Sequence, residues 1–236
     1  MATSEADRMG QGDVGRTSQG DVGRMSEGGA RRMSQDGAGR VNQKARTRRA
    51  IVVAARELAR TGSDVTMPEV ARLALVSEAT AYRYFPDLVS LLSETFEGLW
   101  PSPAEALAPV ADSRDPVERI MFACEFLLRG VLGNQGAVRA MISGTITRPD
   151  LTAVRPGIRF GLIDYALAPF ETTLAARDPL TLPRLRQGLA VVVSAEALFV
   201  LIDLCGLSPD QAIASAAGTA AILVAAAFRD ASAGHG

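Results

Sequence analysis

The 236-residue chain has one histidine, His235, one lysine, Lys44, and two cysteines, Cys124 and Cys205. A Ser–His–Asp triad would have to recruit its base from beside the last residue, and a histidine-rich metal centre cannot be assembled. The lone lysine follows Gln43, not the glycine of Gly-x-x-x-x-Gly-Lys, so a phosphate-cradling P-loop is absent. Both cysteines fall in apolar helical patterns. That fits free buried thiols in a reducing cytoplasm better than a disulfide framework. The first forty residues also lack the uninterrupted apolar stretch of a secretion signal, so the expected location is cytoplasmic. No cofactor and no metal are implied. What is present is a 47% hydrophobic composition, enough for a buried core, and a net charge of −1. That balance excludes a uniformly basic coat but allows a local basic patch.

Residues 1–43 stand apart in composition. The first forty contain nine glycines and no leucine, isoleucine or aromatic residue. Arginines recur every eight positions, at Arg8, Arg16, Arg24, Arg32 and Arg40, and Gln-Gly-Asp-Val-Gly-Arg occurs at 11–16 and again at 19–24. Such a segment cannot bury enough apolar area to offset its ordering entropy, so a disordered Gly/Arg-rich tail is expected. An arm reaching a DNA minor groove is the sharper alternative. Six acids cancel its six arginines and favour a neutral tail.

Helical periodicity begins at Lys44. Ile51, Val52, Ala55, Leu58 and Ala59 share one face of a helix expected to end at Gly62. Lys44, Arg46, Arg48 and Arg49 crowd its expected N-terminus, where positive charge opposes the macrodipole and suggests an external anion, a solvated basic surface being the plainer alternative. Thr66-Met67-Pro68-Glu69 reads as a capping box opening a short helix with Val70, Leu73 and Ala74 inward. Ser77 caps a second short helix, Glu78 to Tyr84. Phe85-Pro86-Asp87 leads into another, to about Trp100. Two short helices joined by a tight turn, after a longer one, form a helix-turn-helix pattern over 44–100. Ala81 and Phe85 pack inward with Val76. Glu78, Ala79, Thr80, Arg83 and parts of Tyr82 and Tyr84 are left outward. A small-residue face bearing hydroxyls, phenols and one guanidinium suits a DNA major groove.

Residues 47–91 resemble the DNA-binding domain of the TetR family of bacterial transcriptional regulators. The run Tyr82-Arg83-Tyr84-Phe85-Pro86 carries the most specific part of the likeness. The resemblance implies double-stranded DNA as partner and a DNA-binding set of Arg46, Arg48, Thr66, Ser77, Glu78, Ala79, Thr80, Tyr82, Arg83 and Tyr84. The chain departs from the family pattern in places. Leu75 stands where the family has glycine, so a reshaped turn is expected. Leu88 stands where the family has a phosphate-contacting lysine, a duty that Arg46 or Arg48 would share. Ala81 and Ala59 replace a larger Leu and Phe.

Residues 101–236 read as helices only, over about 116–132, 135–146, 156–176, 183–204 and 209–230, so the expected fold is all-α. Residues 212–228 hold no charge. A bilayer span is disfavoured there by the alanine-rich composition and by Glu196 in the neighbouring helix. Burial against a second subunit explains the run better, with Ala214, Ser215, Gly218 and Ala221 as a close-approach face. The resemblance implies the same homodimer through the last two helices. In the middle helices, ordinary core is the plain reading of Met121, Phe122, Phe126, Met141, Phe160, Ile163, Tyr165 and Phe170. The resemblance also implies a pocket for a small, mostly apolar ligand that lowers DNA affinity, with Phe122, Phe126, Met141, Phe160, Ile163 and Asp164 as candidate lining. A repressor released by that ligand is the expected function. The alternative is an all-helical enzyme or binding protein acting on a small apolar molecule with Glu125 or Asp164 as acid or base. The absence of a well-placed histidine or lysine counts against it.

Overall fold

The computed structural model describes residues 26–61, 64–148, 150–151, 155–176 and 178–232, with side chains described from 41 to 229. Residues 1–25 of the repeat tail, Gly62 and His235 lie outside these. Among the described residues there are twelve α-helices and no strand, so the fold is all-α. The chain divides into two units, Met1–Arg46 and Thr47–Gly236.

The first helix, α1, spans Ser26–Arg60. It starts within the segment whose composition suggests a disordered tail. This displaces the helix N-terminus far upstream of Lys44, Arg46, Arg48 and Arg49. These residues are therefore mid-helix, and the macrodipole argument for an anion beside them no longer holds.

In the unit beginning at Thr47, the C-terminal part of α1 packs with α2 (Met67–Leu73), α3 (Glu78–Tyr84) and α4 (Leu88–Phe96). Their core holds Ile51, Ala55, Val70, Ala81, Phe85, Leu91 and Leu92. Each short helix starts at a side-chain cap. Thr66 accepts from the Glu69 amide at 3.4 Å, Ser77 from the Thr80 amide at 3.2 Å, and Asp87 from the Ser90 amide at 2.7 Å. Only half of the expected box at Thr66 forms, because the Glu69 carboxylate turns to Arg72 at 2.8 Å. A complete box forms at Ser102 and Glu105, opening α5 (Pro103–Ala106).

The larger core is built on α6 (Pro116–Leu132), α7 (Gln135–Thr147), α8 (Ile158–Leu167), α9 (Glu171–Ala175), α10 (Thr181–Val192), α11 (Ala195–Asp203) and α12 (Pro209–Ser232). Two helices expected to be continuous are broken. Pro169 ends α8 in a 3-10 turn before α9, because proline supplies no N–H to the ladder. Val193 leaves the helical region, and Ser194 starts α11 afresh as its N-cap, bending the pair by 44°. One side of α12, with Ala212, Ile213, Ala216, Ala217, Ala220 and Val224, is buried in this core. Arg119 is buried too. Its guanidinium donates to the carbonyls of Ala166, Val110, Ala111 and Tyr165 at 2.7–3.0 Å, which joins α6 to the C-terminal end of α8. Of the two cysteines expected to be buried, Cys124 is, but Cys205 is exposed just past the end of α11.

Candidate nucleic-acid interface and apolar cavity

Ala81 and Phe85 anchor α3 inward, as their spacing predicts. Residues 79 and 83, four apart, then share the opposite side of the helix at 3.6 residues per turn, with 78 and 82 on its flank. Glu78, Ala79, Tyr82 and Arg83 are all exposed, and so are Ser77 and Thr66 at the caps. Thr80 is half-buried, its hydroxyl 2.9 Å from that of Ser77. Tyr84 turns further inward. It packs against the cluster around Phe85, and the Arg83 guanidinium lies over its ring at 5.8 Å. The central Ala79 keeps this surface low, so a groove-shaped partner can approach the backbone closely.

The turn before α3 keeps the left-handed conformation that glycine favours, with Leu75 at φ 56°. The sequence suggests a reshaped turn; instead, the shape is retained and the strain is borne by leucine. The Leu75 amide donates to the Arg72 carbonyl and the Val76 amide to that of Ala71. Ala71, Val70 and Ala81 are buried on either side, so packing of the two helices holds the turn.

Arg48 is placed differently from the expectation of a free phosphate contact. Its guanidinium donates to Glu94 through Nε at 3.1 Å and Nη2 at 2.5 Å, donates to the Tyr84 carbonyl at 3.3 Å, and lies 4.4 Å from the Phe85 ring centroid. It therefore fastens α1 to α4 and to the end of α3. Arg46 is exposed and belongs to the N-terminal unit.

Farther along, a cavity of about 80 Å³ lies among α4, α6, α7, the start of α8 and the start of α11. Phe96, Trp100, Leu127, Val131, Val138, Met141, Ile142 and Ile158 make most of its wall. Gly130 leaves room for the Trp100 ring. A β-carbon there would sit 2.2 Å from it. Phe126 supports that ring edge-on at 6.3 Å between centroids.

Of the six residues named as pocket lining, only Met141 is on this wall. Ile163 is sealed in the core, Phe122 packs against the core, and Phe126 stands behind Trp100. Phe160 is exposed, and Asp164 pairs with Arg186 at 2.5 Å. Helical periodicity shows which residues turn inward but not which inward residues border a void.

The polar lining was also missed. Arg155 and Arg159 border the cavity, and both reach Glu196. Arg159 Nη2 lies 3.5 Å from its Oε2, Arg155 Nη2 bonds its Oε1, and Arg159 Nη1 donates to the Ala190 carbonyl at 2.9 Å. Burial raises the Glu196 pKa, but hydrogen bonds from Arg155 and the backbone and the two guanidinium charges outweigh it. The carboxyl is held below its ordinary range. Arg155 stands in a bend before α8 and Arg159 in its first turn, so no helical spacing marks them as a pair.

Residues 50–95 match the family model described as "Bacterial regulatory proteins, tetR family". No curated protein and no solved structure matches the chain.

Proposed function

We propose that residues 50–95, which match the TetR-family model, are the DNA-binding domain of a cytoplasmic, ligand-responsive repressor that binds a palindromic operator as a homodimer. The observation that carries this reading is the exposed face of α3, with Glu78, Ala79, Tyr82 and Arg83 outward from a helix capped by Ser77. Arg83 and Tyr82 reach base edges or phosphates, and the hydroxyls at Thr66, Ser77 and Thr80 lie along the backbone. Arg48 acts mainly by holding α3 in place.

A single short helix covers only a few base pairs. Two related by a dyad read half-sites about 34–36 Å apart, or a multiple of that. The outward side of α12 supports such a dyad. Ala214, Ser215, Thr219 and Ile222 are exposed there, and apart from the adjoining stretch of its own helix no atom lies within 4 Å of where a Gly218 β-carbon would be. Val200 is exposed on α11, Leu204 just past its end, and Val191 on α10. The dimer seam is therefore assigned to α10–α12. Although α12 is long and apolar enough to cross a membrane, this reading covers its open side with a second copy.

The cavity gives the regulatory step. Phe96 and Met141 belong to the core of the DNA-binding helices and also to the cavity wall. Pockets for small molecules are usually about 300–1,000 Å³, so a ligand must widen this one by moving α4 or α7. Moving α4 reorients α3. A ligand preferring that widened state draws the population away from the DNA-competent dimer. The enzymatic alternative loses one of its two candidate acids, since Asp164 is engaged by Arg186 outside the cavity.

A gel shift with the DNA upstream of the protein's own gene tests the DNA reading. Saturable binding that weakens steeply with salt is expected. Arg83→Ala and Tyr82→Ala should each weaken it by about 1–3 kcal/mol. Unchanged binding by both variants would overturn the groove assignment.

A further inference from the structure

The cavity wall is apolar except at one edge, where two guanidinium groups meet one carboxylate. Arg155 and Arg159 both border the cavity, both are about three-quarters buried, and both point to Glu196. One carboxylate cannot neutralise two arginines, so this edge carries a net positive charge beside an apolar space. The Arg159–Glu196 contact, at 3.5 Å, is also at the limit of a hydrogen bond. A guanidinium presents five N–H donors in a planar fork that suits a carboxylate. Arg159 spends Nη1 on the Ala190 carbonyl and only weakly engages Nη2.

We propose that the cavity binds a small amphiphile with a single carboxylate head, held by Arg155 and Arg159, and a hydrocarbon body against Trp100, Leu127, Val131, Met141 and Ile158. This deepens the effector-site reading above and rests on it. The ligand head competes with Glu196 for the same two arginines. Glu196 lies in the first turn of α11, two residues after the Ser194 cap and the bend from α10. Releasing it loosens the tie between the start of α11 and the segment carrying Arg155 and Arg159. The hydrocarbon body meanwhile presses on Phe96 at the end of α4. One ligand thus acts on both the dimer helices and the DNA-binding helices.

The chain's one tryptophan, Trp100, is on the cavity wall and reports occupancy directly. Full-length protein is titrated with octanoate, octan-1-ol and octylamine while tryptophan emission is followed. Octanoate should give a saturable change at a concentration at least about tenfold lower than the alcohol, and the amine should bind worst. Arg155→Gln with Arg159→Gln should remove that preference while leaving octanol binding as it was. Glu196→Gln removes the competing carboxylate and should tighten octanoate binding several-fold. No variant that merely unfolds the protein can do this. Equal binding of carboxylate and alcohol, no saturable octanoate binding, or weaker octanoate binding by Glu196→Gln would overturn the assignment. A gel shift run alongside separates the two claims. Arginine-dependent octanoate binding with operator binding unchanged would keep the carboxylate site and defeat the effector reading. DNA release by octanol without a carboxylate preference would do the reverse.

Discussion

Leu75 occupies a left-handed backbone position while being 92% exposed, so its side chain gains almost nothing from packing. The conformation costs a non-glycine residue about 1–2 kcal/mol. Replacing it with glycine removes that strain but adds entropy to the unfolded chain. Leu75→Gly should therefore stabilise the protein by about 0.5–1 kcal/mol in urea unfolding, with operator affinity little changed. The cysteines make a second contrast. Burial, aided by the charge of Glu125, pushes the Cys124 thiol up to about 12, whereas Cys205 is exposed. A raised pKa keeps a thiol protonated and unreactive at pH 8. A thiol reagent should label Cys205 in the native protein and reach Cys124 only after denaturation. Fast labelling of both would contradict the burial of α6.

At the scale of elements, α11 is held at both ends by carboxylates. Glu196 meets Arg155 and Arg159 at its start, and Asp203 meets Arg139 of α7 at its end through bonds of 2.6 and 2.8 Å. Arg139 also lies over the Phe199 ring at 3.9 Å. The hydrogen bond from Arg139 holds the Asp203 carboxyl below its usual range, and the net shift of Glu196 is in the same direction. A carboxylate lowered in the folded state contributes its stability above the unfolded pKa, about 4, and loses it as pH falls through the folded value. The melting temperature should thus be flat near neutrality and drop on acidification below about pH 4. Glu196→Gln with Asp203→Asn should lower the plateau and flatten that acid limb. An unchanged acid limb would show that these ties add nothing to α11.

For the whole molecule, the outward side of α12 decides between a lone chain and a pair. Gly218 has open space around it within one chain, so a larger residue there meets nothing in the monomer and improves helix propensity. Between two closely approaching copies of α12, the same residue would be wedged apart. Gly218→Leu should keep its helical circular dichroism and its melting behaviour at high dilution, yet shift to a single-chain mass by light scattering. It should also lose tight operator binding, because separated half-site readers no longer share one encounter. A Gly218→Leu variant that stays dimeric would move the seam elsewhere on the surface.

The order of the DNA-binding helices was legible in the sequence because each has a local signal. Thr66, Ser77 and Asp87 are side-chain caps, and Ala81 with Phe85 marks the inward side of α3. Caps and helical periodicity act over three or four residues, so they are visible without the fold. Strain at Leu75 was legible as well, but its outcome was not, because the packing of α2 against α3 decides whether the turn reshapes. The same limit applied to Arg48, whose partners Glu94 and the Tyr84 carbonyl are 46 and 36 residues away. The cavity was the least legible feature. Five of the six aromatic, apolar or acidic residues chosen for it are elsewhere, while Trp100, Arg155 and Arg159 come together on its wall from separate parts of the chain. A void is what remains where neighbouring helices fail to fill space, and the paired arginines gain meaning only from facing it. Neither property belongs to any one segment, so tertiary packing alone determines both.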